Sequence, residues 1–196
     1  MPYQTVARTH AREEIVKGSR FIAQVTRVAN VGVALAALQT VRQHYAEATH
    51  NCWAYLIGSE LRFSDDGEPG GTAGRPMLEV LQRRELDHVL AVVTRYYGGV
   101  KLGAGGLVRA YSGSLAKALD EAGVLLVRET VTRSVSSPFS EMDAVHRLLD
   151  DWPGLVKGEP AYSASGLELP VTFFADDDMS LADALTQATR GEASLR

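Results

Sequence analysis

Two stretches of the 196-residue chain hold most of the side chains that could do chemistry. The first is "SDDGEPGGTAGRP", residues 64–76, where Asp65, Asp66 and Glu68 place three carboxylates within four residues. Such a group suits a hard cation such as magnesium, held partly through water. Acids among glycines and prolines also cap turns through their own backbone, and that reading is favoured. The spacing is not that of an EF-hand, which needs acidic or amide groups at alternate positions ahead of its glycine. Thr72 and Arg75 lie in the same loop. His50, at the start of a strand, could reach the acids and serve as a base, although an isolated histidine is more often structural.

The second stretch, residues 95–109, runs Arg95, Tyr96, Tyr97, Gly98, Gly99, then Lys101, Gly103, Gly105, Gly106 and Arg109. A strand, then glycines, then a helix aims backbone N–H groups and a helix N-terminus at an anion. The glycines would let a phosphate approach, with Arg95, Lys101 and Arg109 adding charge. No acid falls between Asp87 and Asp120. The loop is not a Walker A motif, because Ala104 follows Gly103 where lysine belongs. It is not a dinucleotide fingerprint either, because Val108 stands in place of the third glycine. Tyr96 and Tyr97 could stack on exposed bases. In a strand they would alternate faces, so one of the two is expected in the core.

Other templates fail. The chain has no G-x-S-x-G, no H-E-x-x-H and no H-x-E with C-x-x-C, and its five histidines show no metal spacing. The expectation is a binding protein rather than an enzyme, without cofactor or metal. Cys52 is the single cysteine, which excludes an internal disulfide and a cysteine zinc cluster; in "NCWAYLI" it reads as a buried structural thiol.

The frame that must position these loops is legible in outline. Hydrophobic content of 45% with 22% charged residues is ordinary globular composition. The net charge of -4 is unevenly spread: residues 1–129 hold 15 Lys/Arg against 13 Asp/Glu, and residues 130–196 hold 5 against 11. Opposite signs suggest two domains, 1–129 and 130–196. No apolar run nears the roughly 20 residues of a membrane span, and the first residues carry no apolar signal core. A cytoplasmic protein without a membrane partner is expected.

In the first domain, strands are expected at 21–25, 51–58 and 61–63, the last two joined through Gly58-Ser59, with a continuous apolar strand at 88–93 covered on both faces. Helices are expected at 31–45, on Val33, Leu35, Leu38, Val41 and Tyr45, and at 77–84. A third spans 104–122, on Leu107, Tyr111, Leu115 and Leu119, and is ended by Gly123. Residues 64–76 should be irregular throughout. In the second domain, a strand at 130–136 precedes a capping box at Ser140-Glu141-Met142-Asp143 and a helix bearing Val145, Leu148 and Leu149. A hairpin turning at Ser165-Gly166 follows, with Leu167, Leu169, Val171 and Phe173 on one face. A second capping box, Ser180 to Asp183, leads a helix ended by Gly191. That order is a ferredoxin-like split βαβ with at most a stub of a last strand.

Together, "FSDDGEPGGTAGRPML" and, about 15 residues on, "VVTRYYGGVKLGAGGLVRAY" resemble the signature of the YigZ/IMPACT family. The resemblance extends over the whole chain, through Glu14, "KGSRFIA" and "HNCWA". Its motif falls on Asp65, Asp66, Gly67, Glu68, Pro69, Thr72, Ala73, Gly74 and Pro76, then on Arg95 to Gly99, Leu102, Gly103, Gly105 and Gly106. Arg75 stands where other members have lysine. The resemblance implies an α+β protein. Its N-terminal domain would be a two-layer β/α unit similar to the second domain of a small-subunit ribosomal protein, and its ferredoxin-like C-terminal domain similar to the last domain of elongation factor G. Eukaryotic members are translation regulators, acting partly through a further N-terminal domain without counterpart here; that part is not carried over.

Two functions stay open at this stage. One is a translation-associated protein that binds RNA, the ribosome or a protein partner through residues 95–109. The other is an enzyme or small-ligand protein holding a phosphorylated metabolite, with magnesium, between the two loops. The pI near 5.7 argues against broad non-specific nucleic-acid binding and for local contact. In either case the two loops are expected side by side on one face.

Overall fold

The computed structural model describes residues 2–164 and 166–196, which form two compact units, one of Tyr3–Val127 and one of Pro2 with Arg128–Arg196. Both are mixed α+β.

The first unit contains β1 (Tyr3–Val6), β2 (His10–Val16), β3 (Ser19–Arg27), α1 (Val31–His44), β4 (His50–Ile57), β5 (Glu60–Ser64), α2 (Gly74–Arg83), β6 (Val89–Tyr96), α3 (Ala104–Ala122) and β7 (Val124–Val127). Five strands form an antiparallel sheet in the order β2-β3-β6-β4-β5. β6 is central, and its apolar run is buried on both faces as expected. Val89, Ala91 and Val93 face α2 and α3, while Leu90 and Val92 face α1. The sheet therefore carries helices on both sides, making three layers where the ribosomal likeness implied two. β4 and β5 join through Gly58-Ser59, with Ile57 paired to Glu60.

Several expectations need correction. β1, β2 and β7 were not foreseen. β1 and β7 pair with each other as a separate ribbon, Tyr3 opposite Val127 and Val6 opposite Val124. In α1 the buried positions are Ala34 and Leu38, whereas Val33 and Leu35 are exposed. The irregular segment ends early, because α2 begins at Gly74. Its Pro76 sits in the first helical turn, where a missing N–H costs nothing. Arg95 and Tyr96 are the end of β6 rather than loop. α3 matches its stripe: Leu107, Tyr111, Leu115 and Leu119 are buried, and Gly123 ends it at φ +72°.

The second unit runs β8 (Thr130–Ser137), α4 (Met142–Asp150), β9 (Val156–Lys157), β10 (Ala161–Ser163), β11 (Gly166–Phe174), α5 (Asp178–Ala188) and β12 (Ser194–Leu195). Its strand path is β10-β11-β8-β12, with β9 also on β11. Leu167, Leu169, Val171 and Phe173 share the buried face of β11 against Val145, Leu149, Leu181 and Leu185. The last strand is a two-residue stub. Gly166 pairs with Ser163 across the hairpin, while Ser165 of the expected turn lies outside the described residues. Neither capping box forms. A short 3₁₀ turn, Phe139–Glu141, leads into α4 without a side-chain cap, and α5 starts two residues before Ser180.

Candidate functional site

One buried ion pair ties the acidic loop to the end of β6, where the cationic loop begins. Arg95 points from the end of β6 into the unit and is 5% exposed. Its Nη1 donates to Glu68 Oε1 at 2.6 Å and its Nη2 to Ser19 Oγ at 3.2 Å, while Nε is buried without a partner. The Tyr111 hydroxyl donates to the same Glu68 oxygen at 2.7 Å. The other oxygen, Oε2, has His50 Nε2 beside it at 3.8 Å. His50 Nδ1 lies 2.8 Å from the Asp66 carbonyl. A carbonyl only accepts, so Nδ1 carries a proton and the ring is fixed in orientation.

The remaining acids have structural partners. Asp65 accepts from the amides of Gly71, Ala73 and Gly74, at 2.8, 3.0 and 2.8 Å, and so closes the loop onto the first turn of α2. This satisfies amides that a helix start leaves open. Asp66, at φ +45°, accepts from the Asn51 amide at 2.7 Å and from Arg42 Nη2 at 3.0 Å. Thr72 donates its hydroxyl to the Pro69 carbonyl at 2.6 Å. Arg75 lies apart on the exposed side of α2, 3.4 Å from Glu79. The three acids thus face three different sets of partners. Among the described residues, no group of three or more His, Cys, Asp and Glu converges as metal ligands would.

Cys52 is buried beneath this loop, its thiol 3.0 Å from the Asp65 carbonyl. Burial pushes its pKa up to about 12; a hydrogen bond with Tyr111 opposes that, and the charges of Glu68, Asp66 and Asp65 add to it. Burial likewise raises the Tyr111 hydroxyl well above its ordinary range. Both groups are neutral structural partners at physiological pH.

Beside the ion pair lies a cavity of about 380 Å³, lined by Pro69, Tyr97, Leu102 and Leu107 together with the exposed Lys101, Gly103 and Ala104. Neither tyrosine is core. The inward position at this end of β6 is taken by Arg95, so Tyr96 is half-buried with Arg20 over its ring at 5.1 Å. Tyr97 is 48% exposed and rests on the Arg95 guanidinium at 5.5 Å. Gly98 is required by close approach, because a Cβ there would fall 2.0 Å from the Gly18 carbonyl. Gly103 precedes α3 at φ +71° with no side-chain cap, leaving the first amides of a 19-residue helix open at the cavity mouth. Gly105 and Gly106 form the first turn of that helix. Arg109, one turn further, lines a neighbouring groove of about 230 Å³ with Lys17, Gly106, Ala110, Gly113 and Lys117.

Glu68 of the acidic loop is thus brought to one cavity with Arg95, Tyr97, Lys101 and Gly103, whereas Arg75 stands apart, Arg109 lines the neighbouring groove and Tyr96 packs with Arg20. Sequence reasoning missed Ser19, Arg42, Asn51 and Tyr111 as partners. Only Tyr111 carried a signal: a hydroxyl in an otherwise aliphatic helical stripe must find a buried partner.

Residues 17–119 match the family described as the Impact N-terminal domain. The chain is 36% identical to the IMPACT family member YvyE of Bacillus subtilis, over 99% of this chain and 90% of that one. It is 34% identical to the IMPACT family member YigZ of Escherichia coli, over 87% of each. A crystal structure of a hypothetical protein aligns with a TM-score of 0.65 at 32% identity, covering 99% of this chain and 96% of the other.

Proposed function

The chain belongs to the IMPACT family, and from that premise we propose that it is a translation-associated regulatory protein that binds RNA or the ribosome through its first unit. The translation setting rests on the family resemblance. In this reading residues 1–129 are the IMPACT-type domain, similar to the second domain of a small-subunit ribosomal protein. Residues 130–196 are a ferredoxin-like domain similar to the last domain of elongation factor G; the strand path β10-β11-β8-β12 supports the ferredoxin-like part. The setting is the cytoplasm, and the role is binding rather than catalysis.

One observation carries the binding site. The uncapped start of α3 opens between Lys101 and Arg109, neither of which is ion-paired among the described residues, with exposed Tyr97 beside it. Open helix amides and cations receive phosphates, and an aromatic face receives a base. Arg95 adds little net charge, because Glu68 neutralises it. The site therefore works by local geometry rather than by a broad basic field, consistent with the acidic pI.

A small-ligand protein is the second reading, favoured by the cavity volume, which lies in the range of small-molecule sites. Its magnesium version is weakened by the separate partners of Asp65, Asp66 and Glu68. The deciding experiment titrates the folded protein with short RNAs and with ribosomes across salt concentrations. No binding to either at low salt overturns the first reading.

A further inference from the structure

We propose that the cavity between Glu68-Pro69 and the start of α3 receives a single unpaired nucleotide, its phosphate on the α3 amides and the amino-bearing edge of its base toward Glu68. The inference rests on the RNA reading and specifies what that site takes.

Three independent features converge on it. The mouth is the open N-terminus of a 19-residue helix, flanked by Lys101, which suits a phosphate. The walls are Pro69, Leu102, Leu107 and the exposed ring of Tyr97, which suit the flat apolar faces of a base. The floor is polar and incompletely matched. Arg95, more than nine-tenths buried, keeps its Nε without a partner. Glu68 takes both its hydrogen bonds on Oε1, and the neighbour of Oε2 stands at 3.8 Å, beyond hydrogen-bond reach. Buried polar groups are normally satisfied, so an orphan donor beside an under-used acceptor points to a bound partner. A carboxylate only accepts, and an exocyclic amine such as that of cytosine or adenine supplies a donor to it.

The isosteric pairs cytidine against uridine 5′-monophosphate, and adenosine against inosine 5′-monophosphate, differ by an amine in place of a carbonyl. The amino member of each pair is expected to bind about tenfold more tightly, the difference one hydrogen bond to a charged group makes. Glu68→Gln should erase that preference, with folding checked by thermal denaturation. Ala104→Phe sits at an exposed position lining the cavity and should fill it without disturbing the core, abolishing monophosphate binding. Equal or reversed affinity within the pairs for the wild type overturns the inference, as does monophosphate binding that survives Ala104→Phe. RNA binding without monophosphate binding overturns the inference and leaves the RNA reading standing; binding of neither overturns both.

Discussion

Arg95 Nη1 donates to Glu68 Oε1 across 2.6 Å, linking the end of β6 to the acidic loop 27 residues earlier through side chains that are both almost wholly buried. Removing one member of such a pair strands the other charge, which costs about 3–5 kcal/mol, whereas removing both costs far less than the sum. Arg95→Met and Glu68→Met should each destabilise the protein by about that much. The double variant should fall short of additivity by more than about 1 kcal/mol, because touching residues couple. Denaturant unfolding of the four proteins measures this, and additive single costs would show the pair to be uncoupled.

Lys101 and Arg109 are cations of the site without an ion-pair partner among the described residues. Lys101→Ala should weaken RNA binding similarly for all sequences and lower the salt slope by about 1, with Arg109→Ala doing the same. Tyr97→Ala should cost about 1–3 kcal/mol with little salt dependence if its outer face carries a base. Fluorescence titration at several salt concentrations separates the two behaviours. A loss in Tyr97→Ala that vanishes at high salt would contradict stacking.

The glycines of the cationic loop should divide into two kinds. Gly98→Ala drives a methyl group into the Gly18 carbonyl and should destabilise by about 2–4 kcal/mol. A Cβ on Gly105 meets only the end of Arg109, at 3.7 Å. Gly105→Ala should therefore stabilise the helix by up to about 1 kcal/mol. It should nonetheless lower RNA affinity, because the methyl stands among the amides that receive the phosphate. Thermal melts alongside RNA titrations test both halves; unchanged affinity in Gly105→Ala would move the phosphate away from the α3 start.

Cys52 predicts an alkaline limit to stability. Its thiol titrates at about 12 when folded, against 9.0 for the unperturbed group. The folded state disfavours the thiolate, so this contribution is complete below pH 9 and is lost as pH rises toward 12, at about 1.4 kcal/mol per pH unit. Cys52→Ala should lack that part of the decline. At neutral pH, alkylation of the native protein should be no faster than its opening rate, as mass spectrometry over time would report.

What was legible in the sequence follows from the range of the forces involved. Apolar periodicity placed α3 and β11 correctly because each buries a full stripe of large side chains against one sheet face. It placed α1 and its Leu38 and Val41 but not its whole buried face: small Ala34 packs on the sheet, while the larger Val33 and Leu35 lie in solvent. It missed β2, "HAREEIV", whose alternation is carried by charged residues only half-buried. The expected caps at Ser140 and Ser180 failed because Ser140 lies within the 3₁₀ turn Phe139–Glu141 and Ser180 within α5, which follows a 3₁₀ turn at Ala175–Asp177. Asp178 in the first turn of α5 is held by Arg133, and Asp176 and Asp177 just before it by Arg128. Motif spacing located the two loops. It could not show that Arg95 turns inward to Glu68 while Tyr97 turns out, since that depends on a partner 27 residues away and on Ser19 and Tyr111 beyond it.

The ribbon of β1 and β7 has a consequence for how the first unit can be handled as a piece. Because Tyr3 lies opposite Val127, the incoming and outgoing strands of the unit run side by side as neighbours in one ladder. A module whose ends adjoin can be spliced into a surface loop of a host protein without stretching either, and its own ends can be joined and reopened elsewhere. The exposed two-residue turn at Gly58-Ser59, the tip of the β4–β5 hairpin, is a natural place for the new opening. The unit is therefore suited to being moved as a cassette, and the cavity beside Glu68 would travel with it.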